Sequence, residues 1–178
     1  KRKMKQRLSY RNEDDKCYGI TGMAMAVVIF DGEEMLAGVD IDAEPGAAMQ
    51  FTGDFYFNGN PGFSAKNAWN QILKNFNLAM ALAIGNVMCR RMILEKRAVE
   101  SDMADYLREM MVEEGRDNCA LEEDETTRLF NKNYSYLSRV FGHHGVQDVA
   151  RDFARTLRAR RTMTRLDVLE QLRALSML

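Results

Sequence analysis

Cysteine, proline and long apolar runs are all scarce in this chain. The three cysteines among its 178 residues, Cys17, Cys89 and Cys119, are an odd number, far apart and without a Cys-x-x-Cys spacing, which argues against a disulfide framework. Two prolines and twelve glycines are too few for a collagen-like or low-complexity polymer. Nine phenylalanines, six tyrosines and a tryptophan supply the apolar bulk that disordered chains lack. Unbroken apolar stretches such as Met23 to Phe30 and Leu78 to Gly85 fall well short of the roughly 18 to 20 residues that cross a bilayer, so no membrane partner is expected. Lys1-Arg-Lys-Met-Lys5 is not followed by the apolar run of a secretory signal. That points to an intracellular, more specifically cytoplasmic, setting, although a chain that does not open on methionine leaves room for a leader removed upstream.

Complete catalytic signatures are missing as well. Ser64 has no Gly-x-Ser-x-Gly elbow, no cysteine lies beside a histidine, and the glycines of Asn58-Gly-Asn-Pro-Gly62 lack the spacing and the Lys-Ser/Thr pair of a phosphate-binding loop. Asp31-Gly-Glu-Glu34 lacks the twelve-residue oxygen spacing of a calcium loop. No cofactor is expected, and an enzyme is the less favoured reading.

What is present is a segregated charge pattern. The net charge of −1 conceals successive blocks of +4 over residues 1–18, −7 over 19–63, +5 over 64–99, −9 over 100–127 and +6 over 128–178. Such blocks either neutralise one another inside the fold or face partners of opposite sign. With 46% apolar residues, the chain is expected to form a single α+β domain over residues 19–178, preceded by a basic N-terminal arm over 1–18.

Within that domain the first third carries strand signals. Met23 to Phe30 is apolar and ends at Asp31-Gly32, a hairpin dipeptide. Glu34 to Asp42 alternates at its end, with Val39 and Ile41 opposite Asp40 and Asp42, and Ala48 to Phe57 alternates Met49, Phe51 and Phe55 with polar neighbours. These three runs are expected to form a small antiparallel meander near the N-terminus, covered on one face by about five helices. The helices are expected from Ser64 to about Lys96, with a bend near Gly85-Asn86; from Ser101 through Met111, ended by Gly115; from the Glu122–Glu125 cluster to Gly142; from Val146 to about Arg160; and from Arg165 to about Leu175. Between Asn77 and Cys89 nearly every side of the helix is apolar, so it is buried all round, in the core or against a partner chain. Thr164 and Asp167 form a variant of the capping box.

Two constellations invite a metal. His143-His144 between Gly142 and Gly145 offers imidazoles, and Asp40 and Asp42 share a strand face about 7 Å apart at roughly 3.3 Å per residue. The structural alternatives are a polar helix linker for the histidines and an acidic sheet face paired with basic helices for the carboxylates. The histidines lack the i, i+4 spacing of helical metal ligands, while the carboxylates, with Glu33, Glu34, Glu44 and Asp54 close in sequence and no base in the block, could hold a hard cation.

The basic segments carry the functional expectation. Arg151, Arg155 and Arg158 recur by four and three and form a helical ridge, joined by Arg160, Arg161 and Arg165 at the following turn. Guanidinium groups suit phosphate through two-pronged hydrogen bonds, and Lys1, Arg2, Lys3, Lys5 and Arg7 add a second patch. Without interleaved aromatics the expected contacts are to a nucleic-acid backbone rather than to bases. Arg160 to Val168 resembles the segment leading into the last helix of histone-fold proteins over about nine residues, but the helix before it is too short for the long central helix of that fold, and the resemblance is not carried further. The expectation is therefore a non-enzymatic, self-associating protein that docks on a polyanion, nucleic acid first. The alternatives are a scaffold or adaptor assembled through its opposite charge blocks, and a metal-assisted hydrolase using Asp40, Asp42 and His143 or His144.

Overall fold

A computed structural model describes residues 2–53 and 65–178 of the chain. The described residues are mostly helical and include a three-stranded antiparallel sheet. Lys1, the far end of the expected third strand, the Asn58–Gly62 turn and the Ser64 cap lie outside the described residues.

Helix α1 (Arg2–Leu8) is followed by α2 (Glu13–Ile29). The side chain of Asn12 caps α2 by accepting the Asp15 backbone N–H at 2.8 Å, and Glu13, Asp14 and Asp15 fill its first turn, where negative charge is favoured. The run Met23–Phe30, expected as a strand, is therefore the second half of a helix. Its β-branched residues and lack of a polar side gave it a strand's composition, but a helix enclosed on all sides also has no polar stripe. Asp31-Gly32 closes this helix instead of a hairpin. Asp31 adopts a φ of 55°, and the Gly32 N–H returns to the Val27 carbonyl at 2.8 Å.

The sheet is built from β1 (Leu36–Asp40), β2 (Met49–Phe51) and β3 (Thr162–Thr164), in the order β2-β1-β3. Val39 faces Met49 on one side and Met163 on the other. Two of the three expected strands are present, but the third comes from residues 162–164, far along the chain, so the sheet is not a sequential meander. Three residues are too short for alternation to show, and Thr162 to Thr164 read as a helix cap because Thr164 is one as well.

Helix α3 (Ala65–Met88) continues into a π-helical turn, Cys89–Leu94. After it come α4 (Ser101–Cys119), α5 (Glu123–Gly142), α6 (His144–Arg160), and α7 (Arg165–Gln171) after β3. Gly115 does not end α4. It is buried within the helix, where a Cβ would stand 2.7 Å from the Thr126 hydroxyl of α5; the stop is Ala120, at a φ of 49°. The α5 and α7 starts carry the reciprocal capping boxes Glu122/Glu125 and Thr164/Asp167.

The core lies where α2 crosses α3. Ile20, Ala24, Met25 and Val27 of α2 meet Met80, Ala81, Ile84, Val87 and Met88 of α3, all fully or almost fully buried, with Phe130, Phe141 and Phe153 from α5 and α6 around them. The all-round apolar character of residues 77–89 is thus absorbed within one chain. Trp69–Leu94 is long and apolar enough, by length and composition, to cross a membrane, yet much of its apolar surface is used in this core. Gly85 makes a close crossing rather than a bend: a Cβ there would lie 2.6 Å from the Gly22 carbonyl oxygen, and one on Gly22 would run into the Gly85 carbonyl. Backbone meets backbone at this point, and neither carbonyl can retreat as a flexible side chain would.

Substitution at the crossing should therefore be severe. Gly22→Val is expected to cost about 3 kcal/mol or more, whereas Gly142→Ala, where a Cβ meets nothing within 4 Å, should stay within about 0.5 kcal/mol of the parent. Urea unfolding of both variants checks this; equal midpoints would contradict the packing.

Candidate functional site

The antiparallel arrangement of α2 and α6 brings the C-terminal end of the arginine ridge to the acidic first turn of α2. Arg158 pairs with Asp14 and lies 3.7 Å from Glu13. Arg161, at a φ of 69°, contacts Glu13 at 2.6 Å and Asp42 at 2.5 and 3.1 Å. Hydrogen bonds from Arg161 hold the Asp42 carboxyl below its ordinary pKa, and those carboxylates raise the Arg161 value in return. Arg160 reaches Asp167 at 3.1 Å. Arg151 and Arg155 pair within their own helix, with Asp148 and Asp152, each at 3.1 Å. Arg165 is exposed and pairs with no carboxylate among the described residues. The ridge is solvent-exposed, but its charge is largely met by carboxylates of the same chain rather than left free. Helix periodicity places arginines on a face; it does not reveal acids brought there by another helix.

The N-terminal arm divides in the same way. Arg7 is tied to Asp102 at 2.7 Å and Glu100 at 3.5 Å, and Asp102 is held below its ordinary pKa by the bond from Arg7. Arg2, Lys3 and Lys5 are exposed and have no carboxylate partner among the described residues.

The candidate metal residues are not gathered. Asp40 accepts the Asp42 N–H at 2.9 Å at the end of the sheet, and Asp42 belongs to Arg161. His143 Nδ1 accepts the Gly145 N–H at 3.1 Å and caps α6, so the pair is a helix junction. Among the described residues no three His, Cys, Asp or Glu side chains group so as to hold a metal ion. The cysteine thiols are buried; burial, first of all, pushes Cys17 up to about 11 and Cys89 higher still, which keeps them protonated and unreactive near neutrality.

Sequence reasoning missed the most deeply buried charges altogether. Arg90, on the π-helical turn, and Asp15, on α2, are each 1% exposed and joined by two hydrogen bonds of 2.7 Å. The same guanidinium donates to the Leu8 carbonyl at 2.9 Å, the Ser9 carbonyl at 3.0 Å and Asn86 Oδ1 at 3.1 Å, and lies 4.8 Å from the Tyr10 ring centre. Burial disfavours the ionised Asp15, but the hydrogen bonds from Arg90 and the Arg11 N–H outweigh it and leave its pKa low. Beside this pair, Arg91 reaches Glu95 at 3.2 Å and Glu100 at 3.4 Å. The signal available in the sequence was an arginine pair directly after an apolar helical run, with no room there for a solvated face.

The surplus negative charge gathers elsewhere, where the C-terminal half of α4 meets the start of α5. Glu109, Glu113, Glu114 and Asp117 on α4 and Glu122–Glu125 at α5 are all exposed. Asp117 and Asp124 have arginine neighbours, Arg116 and Arg128 at 3.8 and 3.9 Å; Glu109, Glu114, Glu122 and Glu123 form no ion pair among the described residues. The α5 acids suit a helix N-terminus, but those near the end of α4 oppose the helix dipole, so helix stability does not account for them.

No protein-family model, curated protein or solved structure matches this chain.

Removing one member of the buried pair strands the other charge where almost none of its surface reaches solvent. Arg90→Met and Asp15→Asn should each cost about 3 to 5 kcal/mol, while the double variant Arg90→Met/Asp15→Leu should recover part of that loss. Because the Asp15 carboxyl titrates lower in the folded chain than in the unfolded one, its contribution is complete above the unfolded pKa of about 4 and is lost as pH falls through the lower folded value. The stability gap between parent and Asp15→Asn should therefore narrow below about pH 4. Denaturant titrations across pH test it; a gap constant to about pH 2 would contradict the assignment.

Proposed function

We propose that the chain is a non-enzymatic assembly protein, a scaffold or adaptor whose copies join through opposite charges. What supports this is where neutralisation stops. The ridge arginines are mostly matched by carboxylates of their own chain, whereas two clusters of opposite sign form no ion pair among the described residues: Glu109, Glu114 and Glu123 on α4 and α5, and Arg2, Lys3 and Lys5 on the N-terminal arm. An arm on one copy and an acidic helix pair on the next make a head-to-tail contact between two different surfaces, the kind that builds rings or filaments. Charge complementarity of this type sets register and association rate and is screened by salt.

Docking on a nucleic-acid backbone is the second reading, now confined to fewer residues. Arg165 has no carboxylate partner among the described residues, and the exposed pairs of Arg151 and Arg155 lie within one helix, a class of contact worth only about 0.3 to 0.5 kcal/mol. Phosphates can displace such partners. Arg158 and Arg161, each held by two acids from other elements, are poorer candidates.

Sedimentation of the full chain distinguishes the two. Assembly at low salt should dissociate at high salt, and Glu114→Lys/Glu123→Lys or Arg2→Glu/Lys3→Glu should each abolish it. An equimolar mixture of the two charge-reversed variants should then re-associate through the one surface each retains. A parent that is strictly monomeric at high concentration would overturn the assembly reading. Duplex DNA bound at low salt, and released by Arg151→Ala/Arg155→Ala/Arg165→Ala, would favour the second.

A further inference from the structure

A cleft of about 680 Å³ lies beneath α1, between α2, α3 and α4, within the range of small-molecule sites, about 300 to 1,000 Å³. Its walls are apolar: Leu8, Met23, Val87, Leu107 and Met110 line it. Its polar groups are strongly biased in kind. Lys5 and Lys16 bring two ammonium groups, and Lys16 spends one donor on the Ala43 carbonyl at 3.1 Å, leaving two. The Tyr10 hydroxyl accepts from Asn86 at 2.9 Å, so its own proton remains to be donated. Burial lifts the Tyr10 phenol above its ordinary pKa and keeps that proton in place. Among the described residues no carboxylate belongs to the lining.

The roof is fixed rather than loosely draped. Arg90 holds the Leu8 and Ser9 carbonyls, Arg91 donates to the Arg7 carbonyl at 3.3 Å, and the Arg7 side chain anchors on Asp102. Asp42, whose carboxyl feels the Lys16 charge, is itself held by Arg161 and does not line the cleft. Apolar walls with cationic and donor groups match a molecule with an apolar body and one negative end.

We propose that this cleft binds a single-chain aliphatic anion, its chain against Met23, Val87 and Leu107 and its head on Lys5, Lys16 and the Tyr10 hydroxyl. A carboxylate and a phosphate ester share this chemistry, and the lysines accept either, since an ammonium is a point charge rather than a shaped fork. The site shares Lys5 with the basic surface of the arm but uses neither the α4–α5 acids nor Arg2 and Lys3, so ligand binding and assembly are read by separate measurements.

Calorimetric titration of the full chain tests it, with decanoate, decyl phosphate, decylamine and decanol as probes below their aggregation limits. One decanoate or one decyl phosphate per chain should bind at least about tenfold more tightly than decylamine or decanol, and the ratio of the two anions tells which head the site prefers. Lys5→Glu/Lys16→Glu should weaken the anions at least about tenfold and reverse the preference over decylamine. Ala83→Trp, which fills the cleft from α3, should abolish saturable binding of all four. Lys5 is exposed, so Lys5→Glu alone keeps the test decisive if the tryptophan variant does not fold. Absence of saturable decanoate and decyl phosphate binding to the parent, indifference to head charge, or binding unchanged in the lysine variants would overturn the proposal.

Discussion

Arg90 and Asp15 hold a full positive and a full negative charge in the interior, and the surrounding architecture is arranged around making that tolerable. Ionised groups leave water only at large cost, and they recover it when every donor and lone pair is met. Here Asp15 accepts from Arg90 and from the Arg11 N–H at 2.9 Å, while Arg90 spends its remaining hydrogens on Leu8, Ser9 and Asn86 and lays its face on Tyr10. One guanidinium thereby connects α2, the π-helical turn and the segment leading out of α1. An apolar pair of similar volume would recover part of that stability, but it would not specify where the Leu8–Ser9 backbone must lie.

That position has consequences on two sides. The segment after α1 roofs the cleft above Val87 and Leu107, so the buried charge pair determines the depth and lining of the cleft. It also sets the start of α2, where Glu13 and Asp14 are presented to Arg158 and Arg161. The close passage of Gly22 and Gly85 permits this geometry, since a wider crossing would move Asp15 away from Arg90 by the width of a side chain.

Electrostatically, the molecule is matched locally and unmatched at its periphery. Helix ends follow the dipole rule, with acids opening α2, α5 and α7 and arginines closing α6, and antiparallel packing then sets one helix's acids beside another's arginines. Blocks that alternate along the chain are therefore largely internal partners. The α4–α5 acids and the first residues of the arm are among the exceptions, and they carry the assembly reading.

Much was legible from local chemistry alone. The helices from residue 65 onward, the Thr164/Asp167 box, the β1 and β2 strands and the mainly helical class with a small antiparallel sheet all follow from periodicity, capping residues and turn dipeptides, which act within a few residues. The second half of α2, the distant third strand and the pairing of the arginine ridge did not. An enclosed helix has no polar stripe to betray its period, and a three-residue strand exists because Gly38 and Val39 offer it an edge. Whether a guanidinium faces water or a carboxylate depends on which helix packs beside it. Local chemistry along the chain was enough for most of the helices, two of the three strands and the charge each segment carries. The meeting of Arg90 with Asp15, and of Arg158 and Arg161 with acids more than a hundred residues away, had to wait for the packed fold, because those pairings exist only once α2 has crossed α3 and lain against α6.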